Sequence, residues 1–183
     1  MIAVSCTKPK SPVTPSGLDD DNHYSTALDM AKLMAYALNN DKFAEITGNT
    51  TMTVDFLTPR KQVAYNNHNR LLSLYEYCIG GKTGYTKASG RCLVSAARKD
   101  GLTFVAVTLN APSDWNDHIA LYNYGFEHYC ALDFSEYDDS LSVDVVGSEK
   151  SSVGLYTNEN CLIIAEKETI GKSKNAVINT SFL

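Results

Sequence analysis

The stretch Gly81-Lys82-Thr83-Gly84-Tyr85-Thr86 sets a lysine beside a threonine between two glycines. Glycine has no Cβ, so the backbone flanking Lys82 and Thr83 can come within hydrogen-bonding reach of a ligand. Lys-Thr-Gly alone arises by chance in a chain of 183 residues with a probability of about 0.04, so its surroundings must carry the meaning. The other reactive residue types are scattered. Five cysteines, Cys6, Cys78, Cys92, Cys130 and Cys161, form no Cys-x-x-Cys pair and read as buried or idle thiols. His23, His68, His118 and His128 form neither His-Glu-x-x-His nor His-x-His, so no metal or other cofactor is expected. Asp19, Asp20 and Asp21 lack the alternating ligand pattern of a calcium loop and read as a solvated turn.

The elements that must position these residues can be read from periodicity. Pro9, Pro12 and Pro15, followed by Ser16-Gly17, predict an irregular lead-in. Thr26 with Asp29 resembles a capping box, and Met30, Leu33, Met34, Ala37 and Leu38 recur at helical spacing, predicting a helix over Ala27 to Asn39. Between Thr50 and Val63, β-branched residues around Pro59-Arg60 predict two short strands. Cys92 to Ala97 and Leu102 to Leu109, separated by Arg98-Lys99-Asp100-Gly101, predict a hairpin with a four-residue break. Ser113 can cap a helix from Asp114 to Tyr129 with Trp115, Ile119, Tyr122 and Phe126 on one face. Together these predict an α+β fold, an antiparallel sheet with a helix laid across it. From about Asp133 the composition changes to short β-rich pieces, Leu141 to Val146, Gly154 to Tyr156, Leu162 to Glu166 and Ala176 to Ile178. The expected division is 1–132 and 133–183, the latter the start of a small all-β module.

Composition narrows the function classes. Hydrophobic residues at 44% and charged residues at 20% describe a chain that folds around a core. Sixteen Lys+Arg against 21 Asp+Glu give a net charge of -5 without a basic run, which argues against nucleic acid as a partner. No apolar stretch reaches the roughly 18 residues of a membrane span, and the first residues do not read as a signal peptide.

The blocks Thr14-Pro15-Ser16-Gly17-Leu18-Asp19-Asp20, His23-Tyr24-Ser25-Thr26-Ala27, Asp29-Met30-Ala31, Asn69-Arg70-Leu71-Leu72, Gly81 to Thr86 and Gly90-Arg91-Cys92-Leu93-Val94-Ser95-Ala96 occur in one order. In that order and spacing, from about Lys8 to Tyr129, the chain resembles the carboxyl half of the serine-type D-alanyl-D-alanine carboxypeptidases, the low-molecular-weight penicillin-binding proteins of peptidase family S11. The resemblance implies a partial penicillin-binding-protein/β-lactamase-like transpeptidase fold followed by a truncated β module. It also implies a reaction, in which an activated serine attacks the carbonyl between the two terminal D-alanines of a peptidoglycan stem peptide and water clears the acyl-enzyme. Such sites use Ser-x-x-Lys, Ser-x-Asn and Lys-Thr-Gly. By this likeness Lys82 holds positive charge near nucleophile and substrate carboxylate, Thr83 hydrogen-bonds that carboxylate, and Gly84 leaves room for the substrate backbone.

The other two motifs have no fitting counterpart. Ser5-Cys6-Thr7-Lys8 is the one Ser-x-x-Lys, but Pro9 and Pro12 follow at once, where the chemistry needs a helix with Ser and Lys on one face. Ser5 is therefore not expected to be the nucleophile, whose identity stays unknown. Ser173-Lys174-Asn175, Tyr65-Asn66-Asn67 and Tyr156-Thr157-Asn158 read as turns or surface loops. Cys78 with His68 as base lacks an orienting third group. The expected function is thus serine-type D-Ala-D-Ala carboxypeptidase chemistry in cell-wall biogenesis, with this chain lacking the nucleophile. The alternative is a non-catalytic homologue that binds peptidoglycan peptide or a partner protein. Expected partners are the stem peptide or a β-lactam, with self-association or a complementing polypeptide besides, and the expected location by resemblance is the cell envelope.

Overall fold

The computed structural model describes residues 19, 20, 23–133, 142–144, 152–154 and 162–168. In chain order the elements are helices α1 (Ala27–Ala37) and α2 (Asp41–Gly48), strands β1 (Thr51–Leu57) and β2 (Arg60–Asn66), the helical turn α3 (Leu71–Leu74), strands β3 (Cys78–Thr86), β4 (Gly90–Lys99) and β5 (Leu102–Thr108), and helix α4 (Asp114–His128). Four short strands follow: β6 (Tyr129–Asp133), β7 (Ser142–Asp144), β8 (Ser152–Gly154) and β9 (Leu162–Glu166). The chain separates into two compact units, one ending at Lys99 and resuming over Thr103–Gly125, the other holding Asp100–Leu102 and Phe126 onward. The predicted lead-in, Ser5, Asp21, Ser173 and the Ala176 to Ile178 strand lie outside the described residues.

In the first unit, β3, β4 and β5 form a three-stranded sheet in that order. Strand β4 runs antiparallel to β3, with Lys82 opposite Val94, Gly84 opposite Cys92 and Tyr85 opposite Arg91. The turn from β4 to β5 is two residues long, not the four-residue break expected, because Arg98 and Lys99 continue the strand. Asp100 and Gly101 both have positive φ, 48° and 76°, the backbone that a two-residue primed turn demands and that Asp-Gly tolerates.

Leu93, Val94, Ser95, Ala96 and Ala97 are all buried, so β4 is covered on both faces. On one face Val94 and Ala96 join Met34 of α1, with Leu38, Phe43, Ile79, Val105 and Val107 packed around them. The Thr26 hydroxyl starts α1 as foreseen, accepting the Asp29 amide at 3.2 Å. The helix ends two residues before Asn39, and Leu33, expected on the apolar face, is 57% exposed. Helix α2, not foreseen, begins where the Asn40 side chain accepts the Phe43 amide at 3.0 Å.

On the opposite face Ser95 meets α4. Its hydroxyl lies 2.7 Å from His118 Nδ1 and 2.7 Å from the Tyr122 hydroxyl. His118 Nε2 is 3.1 Å from the Thr108 hydroxyl on β5, and the Tyr122 ring stacks on Tyr75. The buried stripe of α4 therefore runs Asp114, His118, Tyr122, Phe126. Of the expected Trp115, Ile119, Tyr122 and Phe126 face, Trp115 and Ile119 are only half-buried. Polar residues take the inward positions because β4 offers them a hydroxyl and a guanidinium rather than a purely apolar surface. Ser113, the expected cap, accepts from the Asn116 side-chain amide at 3.4 Å, while the Asp114 carboxylate takes the Trp115 amide at 2.9 Å.

Strands β1 and β2 pair from Thr51 opposite Asn66 to Leu57 opposite Arg60; two strands around a turn were expected, but the turn is Thr58-Pro59 rather than Pro59-Arg60, and β2 runs three residues beyond Val63. In the second unit β6 pairs with β9 and β7 with β8, both antiparallel. Leu162 to Glu166 is the strand expected; Ser152–Gly154 is a strand, and of the piece expected over Gly154 to Tyr156 only Gly154 is among the described residues.

His118 carries a pH dependence. Burial lowers its pKa from 6.5 to about 4, against the opposing pull of Asp114 and Asp117. The folded state thus holds the neutral ring while the unfolded chain takes up a proton, so the stabilisation is complete above pH 6.5 and is lost as pH falls toward 4. Urea unfolding between pH 7.5 and 4 should show wild type losing on the order of 2 kcal/mol more than His118→Gln across that window. Equal losses in both proteins would remove His118 from the account.

Candidate functional site

Lys-Thr-Gly lies within β3, the edge strand of its sheet, with no strand on its outer side among the described residues. The two glycines differ in what they do. A Cβ on Gly81 would sit 2.6 Å from the Val94 carbonyl oxygen and 2.9 Å from both Asn69 Nδ2 and Ser95 Cβ. Gly81 is thus required by the close approach of β3 to β4 and to Asn69. A Cβ on Gly84 would meet only Cys92, at 3.8 Å. Ordinary contact is all that awaits a side chain there, so nothing among the described residues demands glycine at 84.

Asn69, 3% exposed, explains the Asn-Arg-Leu-Leu block. Its Oδ1 accepts the Leu71 amide at 3.2 Å, its own amide donates to Asn67 Oδ1 at 2.9 Å, and its Nδ2 stands against Gly81. Leu71, fully buried, contributes roughly 1.5–3 kcal/mol by its removal from water. The side chain of Asn69 and the anchor beside it thereby hold the start of the Lys82-Thr83 segment in place. At the far end of the strand, the Thr86 hydroxyl donates to Asp19 at 2.7 Å. Asp19, expected in a merely solvated turn, ties the chain before α1 to β3, while the Asp20 carbonyl accepts the His23 amide at 2.8 Å as a turn requires.

Lys82 is exposed and donates from Nζ to the Thr83 carbonyl. Thr83 is half-buried. Three clefts meet along these residues. One of about 680 Å3 runs past Lys82, Thr83, Gly84 and Tyr85 to Arg91 and Trp115. A second, of about 360 Å3, lies between Lys82-Thr83 and the β1–β2 pair. The third, about 160 Å3, lies over Gly84 and Val94 and is bounded by Met30. Tyr65-Asn66-Asn67, read from sequence as a loop, is the end of β2 and the residue after it, and all three line the second cleft with Lys82.

Of the residues considered for nucleophilic chemistry, Cys78 is pushed toward the protonated thiol by burial, which disfavours a thiolate. His68 lines two of the clefts. Ser95 and His118 form the hydrogen bond a nucleophile and base would share, but both are fully buried and serve the core. Among the described residues no three His, Cys, Asp or Glu side chains are grouped as a metal would need.

Sequence reading missed Arg91, Asp114 and Trp115. The Arg91 guanidinium donates to Asp114 through Nη2 at 2.7 Å and Nε at 3.2 Å, and lies 5.6 Å from the Trp115 ring centre. Partners 23 positions apart leave no local pattern. Only the hairpin and the helix following it bring them together.

An antiparallel sheet flanked by helices, with Lys-Thr-Gly on its edge strand, defines a penicillin-binding-protein-type transpeptidase fold. The chain belongs to the peptidase S11 family, described as D-alanyl-D-alanine carboxypeptidase, whose model matches residues 8–113. It is similar to D-alanyl-D-alanine carboxypeptidase DacF of Bacillus subtilis, 28% identical over 84% of this chain and 40% of that protein. DacB2 of Mycobacterium tuberculosis is 33% identical over 62% of this chain and 41% of its own. Among solved structures, a D-alanyl-D-alanine carboxypeptidase of M. tuberculosis superimposes with a TM-score of 0.57 at 32% identity, over 63% of this chain and 46% of the other. The Streptomyces K15 DD-transpeptidase does so with 0.56 at 30% identity, over 59% and 44%. The chain spans about two fifths of the length of these curated relatives.

The contrast between the glycines is measurable. Gly81→Ala should lower stability by about 1–3 kcal/mol, since backbone must shift, while Gly84→Ala should stay within about 0.5 kcal/mol of wild type. Urea midpoints for the two variants check it, and comparable losses would show Gly84 to be structural as well.

Proposed function

We propose that β3 is the substrate edge of a serine-type D-Ala-D-Ala carboxypeptidase acting on peptidoglycan stem peptides in the cell envelope. Lys82 supplies positive charge, Thr83 a hydroxyl for the terminal carboxylate, and Gly84 a gap through which the peptide backbone pairs with the strand. The observation that carries this reading is Gly84: it lines an open cleft on an edge left unpaired among the described residues, and no contact among them asks for glycine there. In the reaction, a serine Oγ bonds to the carbonyl carbon between the two D-alanines, the C–N bond breaks, and terminal D-alanine leaves with the serine proton. Water then cleaves the ester. The serine and its base come from a Ser-x-x-Lys helix that the described residues do not include, and Ser5 is not given that role. The division at about residue 132 into catalytic and β-rich parts belongs to the same proposal.

A fluorescent penicillin and an acetyl-D-Ala-D-Ala peptide test it on the purified chain. Saturable peptide binding that weakens about tenfold in Lys82→Ala, with the fold intact by circular dichroism, is expected. Binding indifferent to Lys82→Ala and Gly84→Ala would sink the assignment of the strand. Penicillin labelling abolished in Ser5→Ala would instead make Ser5 the nucleophile.

A further inference from the structure

Resting on the reading of β3 as the peptide edge, we propose that Arg91 is a specificity-determining residue. It takes a second carboxylate, carried on the side chain of the residue that precedes D-Ala-D-Ala in the bound peptide. Arg91 lies opposite Tyr85 across the β3–β4 pair, whereas Val94 lies opposite Lys82. The offset is three strand positions, roughly 10 Å at about 3.3 Å per residue. A peptide extended along β3 with its terminal carboxylate at Lys82 and Thr83 places its third residue from the end two steps back, roughly 7 Å, and the side chains of that residue and of Arg91 span the rest. The same cleft of about 680 Å3 is lined by Lys82, Thr83, Gly84 and Arg91; Thr83 and Arg91 share the α4 side of the β3–β4 pair, while Lys82, opposite Val94, starts from the other side and turns its Nζ to the Thr83 carbonyl.

The guanidinium is built to receive an anion. An arginine has five N–H donors, and Asp114 engages two of them, which leaves three. The pair is asymmetric: the Asp114 side chain is 4% exposed and that of Arg91 is 44% exposed. The carboxylate is withdrawn into the protein and also accepts the Trp115 amide, while the cation is presented to the cleft. Held by Asp114 and by the face of Trp115, the guanidinium is already ordered before a ligand arrives, so binding costs it little side-chain entropy. Lys82 and Arg91 against Asp114 leave the cleft a formal charge of 2 − 1 = +1 along this line. A peptide carrying two carboxylates, one at its end and one two residues earlier, matches the two cationic positions.

Titration of the purified chain with acetyl-L-Glu-D-Ala-D-Ala and with its neutral counterpart acetyl-L-Gln-D-Ala-D-Ala tests this. Wild type should bind the Glu peptide roughly tenfold more tightly, a preference that weakens as salt is raised. The double variant Arg91→Gln/Asp114→Asn, which strands no buried carboxylate, should bring the ratio near one. If that variant fails to fold, Arg91→Lys, which keeps the charge but loses the fork, should lower the preference to about threefold. Equal affinity of wild type for both peptides, with binding still lost in Lys82→Ala, overturns the role of Arg91 and leaves the strand assignment standing. A preference that survives the double variant, or Arg91→Lys undiminished, overturns it likewise. Failure of wild type to bind either peptide overturns the strand assignment and this inference together.

Discussion

Strand β4 is covered on both faces, and the first unit is organised around that burial. Five successive residues, Leu93 to Ala97, have no room for a solvated side chain, so each must be apolar, small or satisfied. Ala96 and Ala97 are small enough for helices and neighbouring strands to close over them. Ser95 is the exception that needs a partner, because a buried hydroxyl without one costs roughly 1–3 kcal/mol. His118 and Tyr122 supply it, and in doing so they fix the rotation of α4 about its own axis.

That rotation reaches the site. With His118 turned toward Ser95, Asp114 one helical turn earlier is turned the same way, toward Arg91 on the same strand. The core hydrogen bonds and the ion pair beside the cleft are consecutive rungs of one contact between α4 and β4. Burial on the other face works differently, through Met34, Val94 and Ala96, and needs no polar partner. The edge strand β3 is held by both arrangements through its pairing to β4. Gly81 marks where the approach is closest, and Gly84, three residues on, marks where the described residues make no demand and leave space.

Much of the frame could be read from order and spacing. Thr26 and Asp29 started a helix where the structure starts one, Pro59 marked a turn, and Asp100-Gly101 marked a hairpin. The errors have physical causes. The hairpin break seemed twice its length because Arg98 and Lys99 are polar, yet an outward position on a strand accepts a polar side chain as readily as a turn does. The inward face of α4 was assigned by hydrophobicity to Trp115, Ile119, Tyr122 and Phe126; Tyr122 and Phe126 are buried, but in the first half of the helix the strand opposite presents Ser95 and Arg91 and draws Asp114 and His118 inward in place of Trp115 and Ile119. Tyr65-Asn66-Asn67 had the composition of a loop, but pairing of Met52 with Tyr65 and of Thr51 with Asn66 draws its first two residues into β2.

The family and the α+β class were legible in the sequence alone, and so was the Lys82-Thr83-Gly84 motif on which the proposed function rests, because a contiguous motif and an ordered series of blocks survive in one dimension. Tertiary structure decided what each residue answers to. Gly81 and Gly84 are the same letter in the same motif, and only the distance to Val94 and Asn69 separates the glycine that packing requires from the one it does not. Arg91, Asp114 and Trp115 carry no local signal, since their meeting depends on a turn of the chain and the rotation of a helix. A sequence records which groups are available, and folding sets the distances between them, on which the strength of every such contact depends.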